Sequence, residues 1–301
     1  MDVVQEFRKH ARTLVREFGF FKSQYEDTGA TYGETHALIE LKRYGRVEVS
    51  ELARALNIEK SGASKMLTQM RKKGWVAYIK GDDGRKKLFG LTSAGKKTTA
   101  EVERYAERKM KLGFAELPAS QHKAVVSALR SVTEALRTSR ARAEYNVRVC
   151  EPKDNAQIAA IVRRALKDLG FAGPGTAAAD PSLDYLSSFN TDRGCYLVAE
   201  KDGKVVGGAG IVGMPGERRT VCELVRMFTA PDARGSGLGQ LLMDEALSRA
   251  RAMGYKLCYL ETTGRMKAAQ ALYLKNGFRY VKQRRGNTGH FACKVLMERK
   301  L

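Results

Sequence analysis

Cysteine is scarce in this 301-residue chain: there are five, none before Cys150, and no two are close. An odd, dispersed set excludes a disulfide framework. His10, His36, His122 and His290 are scattered as well, so no paired zinc-ligand spacing exists and no structural metal is expected. Reduced thiols point to a cytoplasmic protein. Proline is also scarce, at six residues, which argues against a disordered or collagen-like chain. No apolar run approaches the roughly 20 residues that a membrane-spanning helix needs. The start, MDVVQEFRKHARTLVREF, carries charge throughout, so neither a secretory signal nor a membrane partner is expected.

What the chain has in excess is positive charge. Lys and Arg number 54 against 33 Asp and Glu, a formal net charge of +21. At roughly 150 residues per domain the length favours two domains. The charge is locally concentrated: residues 60–97 hold 11 basic side chains and only Asp82 and Asp83 as acids. Such density is a candidate footprint for phosphate, with a solvated basic face as the plain alternative.

The order of elements decides between the two. Phe7, Ala11, Leu14, Phe18 and Phe21 predict an amphipathic helix within residues 2–27, and Ala37, Leu38 and Leu41 an inward face for a second helix over Gly33–Tyr44. Val47–Val49 reads as extended. Ser50 then introduces the helix ELARALNI, and Ser61 is placed to cap the next, with Ala63, Met66, Leu67 and Met70 inward and Gly74 ending it. Its outward positions Ser64, Lys65, Thr68, Arg71 and Lys72 are donors of little bulk. Two short helices joined by a tight turn, the second polar and basic outside, form a helix-turn-helix whose second helix suits the major groove. WVAYI and LFGL predict a hairpin around Asp83-Gly84, with a tip carrying Arg85, Lys86 and Lys87. A basic hairpin tip beside a recognition helix is a wing, and Arg85 suits a narrow minor groove.

SELARALNI, SGASKMLTQMRKKGWV and DDGRKKLFGLTSAGKK resemble the MarR family of winged-helix regulators over about residues 1–142. One departure is Tyr78, where the family usually has an arginine, so one phosphate contact differs. The resemblance implies a homodimer formed by the first and last helices. Here Thr92–Phe114 and Ser120–Arg142 supply the last ones, with Val125, Leu129, Val132 and Leu136 as an apolar stripe. A dimer in turn implies a pseudo-palindromic operator in double-stranded DNA, with half-sites about one helical turn apart.

The stretch TSRARAEYNV reads as a linker, and beyond it the pattern changes. Asn146–Cys150 is a short strand and Asp154–Leu169 a helix. Residues 170–190 are rich in Gly, Ala, Ser and Pro and read as irregular; Phe171, Tyr185 and Phe189 there are candidates for an aromatic pocket, at close to background frequency. CYLVAE, VVGGAGIVG and TVCELVRMFTA are strands. Arg234-Gly235-Ser236-Gly237-Leu238-Gly239 then sits between a strand and an amphipathic helix. Three glycines in five positions allow close backbone approach, and successive amides at a helix start bind an anion. No Gly-x4-Gly-Lys-Ser/Thr occurs, and Gln240 stands where a dinucleotide fingerprint needs glycine or alanine, so neither of those phosphate loops fits. Cys222 and Cys258, in apolar strands, read as inert thiols.

Arg-x-x-Gly-x-Gly after such a strand resembles the first signature of the GNAT acetyltransferases. Leu272-Tyr273 followed by Asn276-Gly277-Phe278 resembles the second, and strands around Arg279–Arg284 and Phe291–Glu298 complete the order over residues 146–301. The expected architecture is thus two domains, a mainly α MarR-like winged helix-turn-helix over 1–142 and an α+β GNAT fold over 146–301, its central sheet mixed and mostly antiparallel.

By that resemblance acetyl-CoA is the cosubstrate. Arg234, Gly235, Ser236, Gly237, Leu238 and Gly239 hold its pyrophosphate, and the splayed edge at Met227, Phe228 and Thr229 pairs with pantetheine. Tyr273 is the candidate general acid and Glu223 the candidate base. The structural alternatives are a core tyrosine and a solvent-facing strand glutamate. The acceptor is a small-molecule amine or a protein lysine. The leading function is a bifunctional transcriptional regulator and N-acetyltransferase. One alternative is a DNA-binding repressor whose second domain senses acetyl-CoA without catalysis; another is an enzyme whose winged helix only dimerises.

Overall fold

The computed structural model describes residues 2–80, 87–171, 173, 175–286, 288–289 and 291–301. It divides into two compact units, Met1–Ala128 and Leu129–Leu301.

In the first unit, α1 (Val3–Glu17) is capped by Asp2, whose carboxylate accepts from the Val4 amide at 3.4 Å. The helix stops short of the expected residue 27, because Gly19 turns the chain at a positive φ of 80°. No α1 residue is buried, so its apolar stripe lies open. Helix α2 (Tyr32–Tyr44) starts with a reciprocal capping box between Thr31 and Glu34. Helix α3 (Val49–Leu56) is capped two residues earlier than expected: Glu48 and Glu51 form the box, and Ser50 lies inside the first turn. Helix α4 (Lys60–Lys72) likewise begins after Glu59, so Ser61 is within the helix rather than its cap. Ala63, Leu67 and Met70 turn inward as the periodicity requires.

Strands β1 (Val76–Lys80) and β2 (Lys87–Leu91) pair antiparallel with Tyr78 opposite Phe89. Val47 bridges to Phe89 as an isolated pair. The hairpin tip with Arg85 and Lys86 lies outside the described residues. Leu38, Leu41, Leu52, Leu67, Met70 and Phe89 share one apolar core. Helix α5 (Ser93–Ala115) follows, its first turn capped by Thr92, whose hydroxyl accepts from the Gly95 amide at 3.0 Å.

Helix α6 (Ala119–Glu144) runs past the expected linker. Residues 138–144 are helical, and Ala141 and Tyr145, 0% and 5% exposed, join the core of the second unit. That burial moves the compact division from the expected 142–146 to 128/129.

Among its described residues the second unit carries seven strands: β3 (Asn146–Val149), β4 (Gly194–Lys201), β5 (Lys204–Gly213), β6 (Val221–Thr229), β7 (Leu257–Thr262), β8 (Arg279–Val281) and β9 (Val295–Lys300). They lie in the order β3-β4-β5-β6-β7-β9-β8. Only β6 and β7 are parallel, so the sheet is mixed and mostly antiparallel. β8 starts where the sequence suggested but ends earlier, and β9 starts later. Helices α7 (Asn155–Asp168) and α8 (Leu238–Ala252) cover opposite faces. Strand β4 shows the alternation: Tyr196 and Val198 join the α7 cluster while Ala199 joins the α8 cluster. Helix α9 (Lys267–Lys275) follows β7. Residues Pro181–Phe189, expected to be irregular, form two 3-10 turns kinked at Tyr185 that bury Leu183 and Leu186. Arg148 of β3 grips Asp154 through two bonds of 2.6 and 2.9 Å and Glu200 at 2.8 Å, holding the Asp154 carboxyl below its usual range.

Gly95 explains why the segment after the wing is so constrained. A Cβ there would sit 2.0 Å from the Trp75 carbonyl oxygen, a backbone atom that cannot yield. Gly95→Ala is expected to destabilise the first unit by about 1–3 kcal/mol through overpacking. Chemical denaturation followed by the single Trp75 reads this directly.

Candidate functional site

The site in the second unit begins with a parting of two strands. β6 and β7 pair only at Val221↔Leu257, Cys222↔Cys258 and Glu223↔Tyr259. β6 continues to Thr229 and β7 to Thr262 without further partners between them. The edge of β6 facing that gap, which includes Met227, Phe228 and Thr229, therefore offers unpaired backbone groups.

A bulge accompanies the parting. Gly208↔Phe228 and Gly210↔Val225 leave Arg226 and Met227 opposite Ala209. Arg226 adopts φ 47°, a conformation costly for a side chain with a Cβ. Its surroundings hold it there. The Tyr196 hydroxyl donates to the Arg226 carbonyl at 2.8 Å. The guanidinium donates to Asp180 and, at 2.7 Å, to Ser182, and lies 5.0 Å from the Phe189 ring centroid.

At the far end of β6 the chain enters the 234–239 loop. Among the described residues, no backbone hydrogen bond engages the amides of Gly235, Ser236 or Gly237. Gly235 and Gly237 have φ of 77° and 100°. The Ser236 hydroxyl donates to the Ala233 carbonyl at 2.7 Å and accepts from the Leu238 amide at 3.3 Å, so it shapes the loop from within. Helix α8 starts at Leu238, whose side chain is buried, and the next amides open toward the loop as at any helix start. Arg234, Gly235 and Gly239 line a cavity of about 510 Å³ together with Met227, Phe228, Thr229 and Tyr273. Arg265 and Lys267 add two further cations to its wall. Free amides and three arginine or lysine side chains suit a phosphorylated ligand.

Tyr273 is 6% exposed, in the core cluster and at the cavity wall at once. Its hydroxyl makes no hydrogen bond among the described residues, and burial holds its pKa well above the ordinary phenol value, so it stays protonated. Helix α9 is locked to α8 by Gln240 and Asn276. The Gln240 amide donates to Asn276 Oδ1 at 2.8 Å, and Asn276 Nδ2 returns a bond to Gln240 Oε1 at 3.1 Å. Glu223 is 5% exposed, which removes the solvent-facing alternative for it. It lines a second, smaller cavity of about 60 Å³ with Glu261, Arg226, Cys293 and Tyr273. Met227, Phe228, Met266 and Tyr273 line both cavities and mark where they meet. Cys222 and Cys258 are fully buried, and a hydrogen bond with Cys222 together with burial keeps the Cys258 thiol high. Phe171 reaches the smaller cavity, whereas Tyr185 is 65% exposed and Phe189 packs under Arg226, so the three aromatics form no common pocket.

The first unit presents a separate surface. Ser61, Ser64, Lys65, Thr68, Arg71 and Lys72 of α4 are all exposed, as is Lys87 of β2. The Thr68 hydroxyl is turned back onto the Ser64 carbonyl at 2.9 Å. Tyr78, half exposed, packs against Phe89 with ring centroids 4.6 Å apart and tilted by 45°, and lies 5.0 Å from the Arg71 guanidinium and 6.0 Å from the Lys87 ammonium. The tyrosine that departs from the usual arginine thus gathers two cations, one from α4 and one from β2.

Five residues escaped the sequence reading: Arg226, Glu261, Arg265, Met266 and Lys267. Arg226 and Glu261 left a signal, since each is a charge inside an otherwise apolar strand, where ionised groups need partners. Glu261 has them in the Tyr259 hydroxyl, which donates at 2.9 Å, and in Arg284; burial still holds its pKa above the ordinary carboxylate value.

Comparison with known proteins accounts for both units. The acetyltransferase (GNAT) family matches residues 162–278, and the MarR family matches residues 30–87. The uncharacterized N-acetyltransferase YjgM of Escherichia coli is 42% identical over 151 residues, which span 50% of this chain and 90% of that protein. An uncharacterized N-acetyltransferase of Schizosaccharomyces pombe is 27% identical over 131 residues, 42% of this chain and 78% of that one. Among solved structures, a GNAT-family acetyltransferase from Staphylococcus aureus Mu50 aligns with a TM-score of 0.47 at 17% identity, covering 52% of this chain and 98% of its own.

Proposed function

The chain belongs to the GNAT acetyltransferase family, and on that premise we propose that it is a bifunctional regulator: an acetyl-CoA-dependent N-acetyltransferase joined to a winged helix that binds operator DNA. The observation that carries the enzymatic half is the parting of β6 from β7 beyond Glu223, which opens toward a cavity shared by the 234–239 loop and Tyr273.

The residues fit the cosubstrate. Arg234, Gly235, Ser236, Gly237, Leu238 and Gly239 offer amides and a cation to its diphosphate, and the free β6 edge at Met227, Phe228 and Thr229 offers main-chain partners to its amide-bearing arm. Acetyl-CoA supplies a thioester whose acetyl group an amine can accept. The protein's own contributions are then three. The β6 edge orients the donor and places an N–H where negative charge develops on the acyl oxygen. Tyr273 holds a proton on its hydroxyl in position to meet the departing sulfur. Glu223, in the smaller cavity, is placed to take the proton from the acceptor amine, directly or through water. The acceptor is a small-molecule amine or a protein lysine entering from that side.

The regulatory half rests on the exposed cations Lys65, Arg71 and Lys72 of α4 and Lys87 of β2, to which the sequence adds Arg85 and Lys86, outside the described residues. Ser61, Ser64 and Thr68 are small hydrogen-bonding groups on the same surface. A homodimer gives this surface a two-fold partner for a pseudo-palindromic site. Its support is the apolar exposure of Phe7, Leu14 and Val15 on α1 and of Val125, Leu129 and Leu136 on α6. Among the described residues no helix is long and apolar enough to cross a membrane, and we place the protein with its operator in the cytoplasm.

Tyr273→Phe is expected to lower kcat by about a hundredfold, the scale of a lost general acid, with acetyl-CoA affinity nearly unchanged. Because burial raises the Tyr273 pKa, wild-type kcat should not fall with this group's ionisation below about pH 10. Thiol release across an amine panel measures both; equal turnover in the two proteins removes Tyr273 from the mechanism. Operator affinity is expected to fall by about three orders of magnitude between roughly 50 and 200 mM salt, as several phosphate contacts require. A flat salt response in fluorescence anisotropy excludes the DNA role.

A further inference from the structure

Helix α6 supplies something to the second unit that its sequence did not suggest. Arg137, Ala141 and Tyr145 recur every four residues, the spacing of one helix face. That face backs the 234–239 loop. A Cβ on Gly237 would lie 2.9 Å from both Arg137 Cγ and the Arg137 carbonyl oxygen, and 3.4 Å from Ala141 Cβ. Gly237 is therefore glycine for two reasons: its φ of 100° and the stem of Arg137 pressed against it. Tyr145, one turn beyond Ala141, has Ser236 of the same loop as a side-chain neighbour.

The neighbouring charges on this helix are engaged. Arg142 pairs with Glu245 at 2.9 Å, and Glu134 with Lys275 at 3.2 Å. Arg137 differs from them. Its side chain is exposed, and its guanidinium makes no ion pair or hydrogen bond among the described residues. An arginine whose first carbons rest on a loop of unbonded amides carries an uncommitted fork of donors beside an anion site. Planar, bidentate recognition of phosphoryl oxygens is what that group does best.

We propose that Arg137 is a donor-binding residue, contacting a phosphoryl group of acetyl-CoA beside the loop. The inference rests on the acetyltransferase reading, and it makes the end of α6 part of the acetyl-CoA site. The phosphoryl group is either the diphosphate or the 3′-phosphate of the nucleotide, and the two can be told apart.

The test is calorimetric titration of the full chain with CoA and with 3′-dephospho-CoA, for the wild type, Arg137→Met and Arg137→Lys. Met keeps the aliphatic stem over Gly237 and removes only the charge. Arg137→Met is expected to weaken CoA binding about tenfold, the scale of a charge-assisted contact at a solvated site. Arg137→Lys should recover part of the loss. Steady-state kinetics should show the change in the KM for acetyl-CoA, with kcat and the acceptor KM retained. If both nucleotides weaken equally in Arg137→Met, the contact is to the diphosphate; if only CoA weakens, it is to the 3′-phosphate. Unchanged affinity of Arg137→Met for both ligands overturns the proposal while leaving the acetyltransferase reading intact. No CoA binding by the wild type overturns both.

Discussion

The second unit depends on a place where its sheet stops being a sheet. Parallel pairing of β6 and β7 ends at Glu223↔Tyr259, and beyond it a row of backbone groups faces a gap. Unpaired strand edges inside a folded domain are costly unless something satisfies them. The compensation lies in the bulge next door. Arg226 sits in an unfavourable backbone conformation; its carbonyl accepts from Tyr196 of β4, and its guanidinium is held by Asp180 and Ser182 and lies over the Phe189 ring. Strain at one residue, over-determined by three partners, redirects the end of β6 away from β7. A straight β6 would close the gap and leave no edge for a ligand.

The rest of the site follows from that opening. The 234–239 loop lies beyond the end of β6, so its free amides and the strand edge meet in one cavity. Tyr273 reaches the same wall because α9 is fixed to α8 by the Gln240–Asn276 pair. Gln240 thus has a structural duty of its own, which is why the loop does not continue with the small residue that dinucleotide sites use. The meeting point of the two cavities is lined by two methionines, a phenylalanine and a buried phenol. These are soft side chains that can adapt to a ligand.

Much of the fold was legible because its signals are local. The helix periods of α2, α4 and α7, the alternation in β4, and the Gly-rich turn before α8 are written within windows of about ten residues. The helix starts at Glu48 and Glu59 were misread by two residues each. Glu48 caps through a reciprocal box with Glu51, Glu59 precedes α4 with no side-chain cap bond, and the nearby serines looked like the better caps. The wing's tyrosine was visible as a departure, but its partners Arg71 and Lys87 come from different elements. No spacing rule connects residues seven behind and nine ahead across a helix and a hairpin.

The larger misreading was the linker, and its cause is general. TSRARAEYNV has no apolar period because only one side of it touches protein, and there the contacts are small or polar. Ala141 meets Gly237, Tyr145 meets Ser236, and the aliphatic stem of Arg137 stands in for a hydrophobic side chain. A helix that packs against a glycine loop needs small residues and stems, not leucines. In sequence that face cannot be told from a solvated spacer. The same chemistry that hid the helix from the hydrophobic pattern is what lets its backbone come so close to the loop. A chain that placed bulky apolar residues there would have been easier to read and would have pushed α6 off the anion-binding turn.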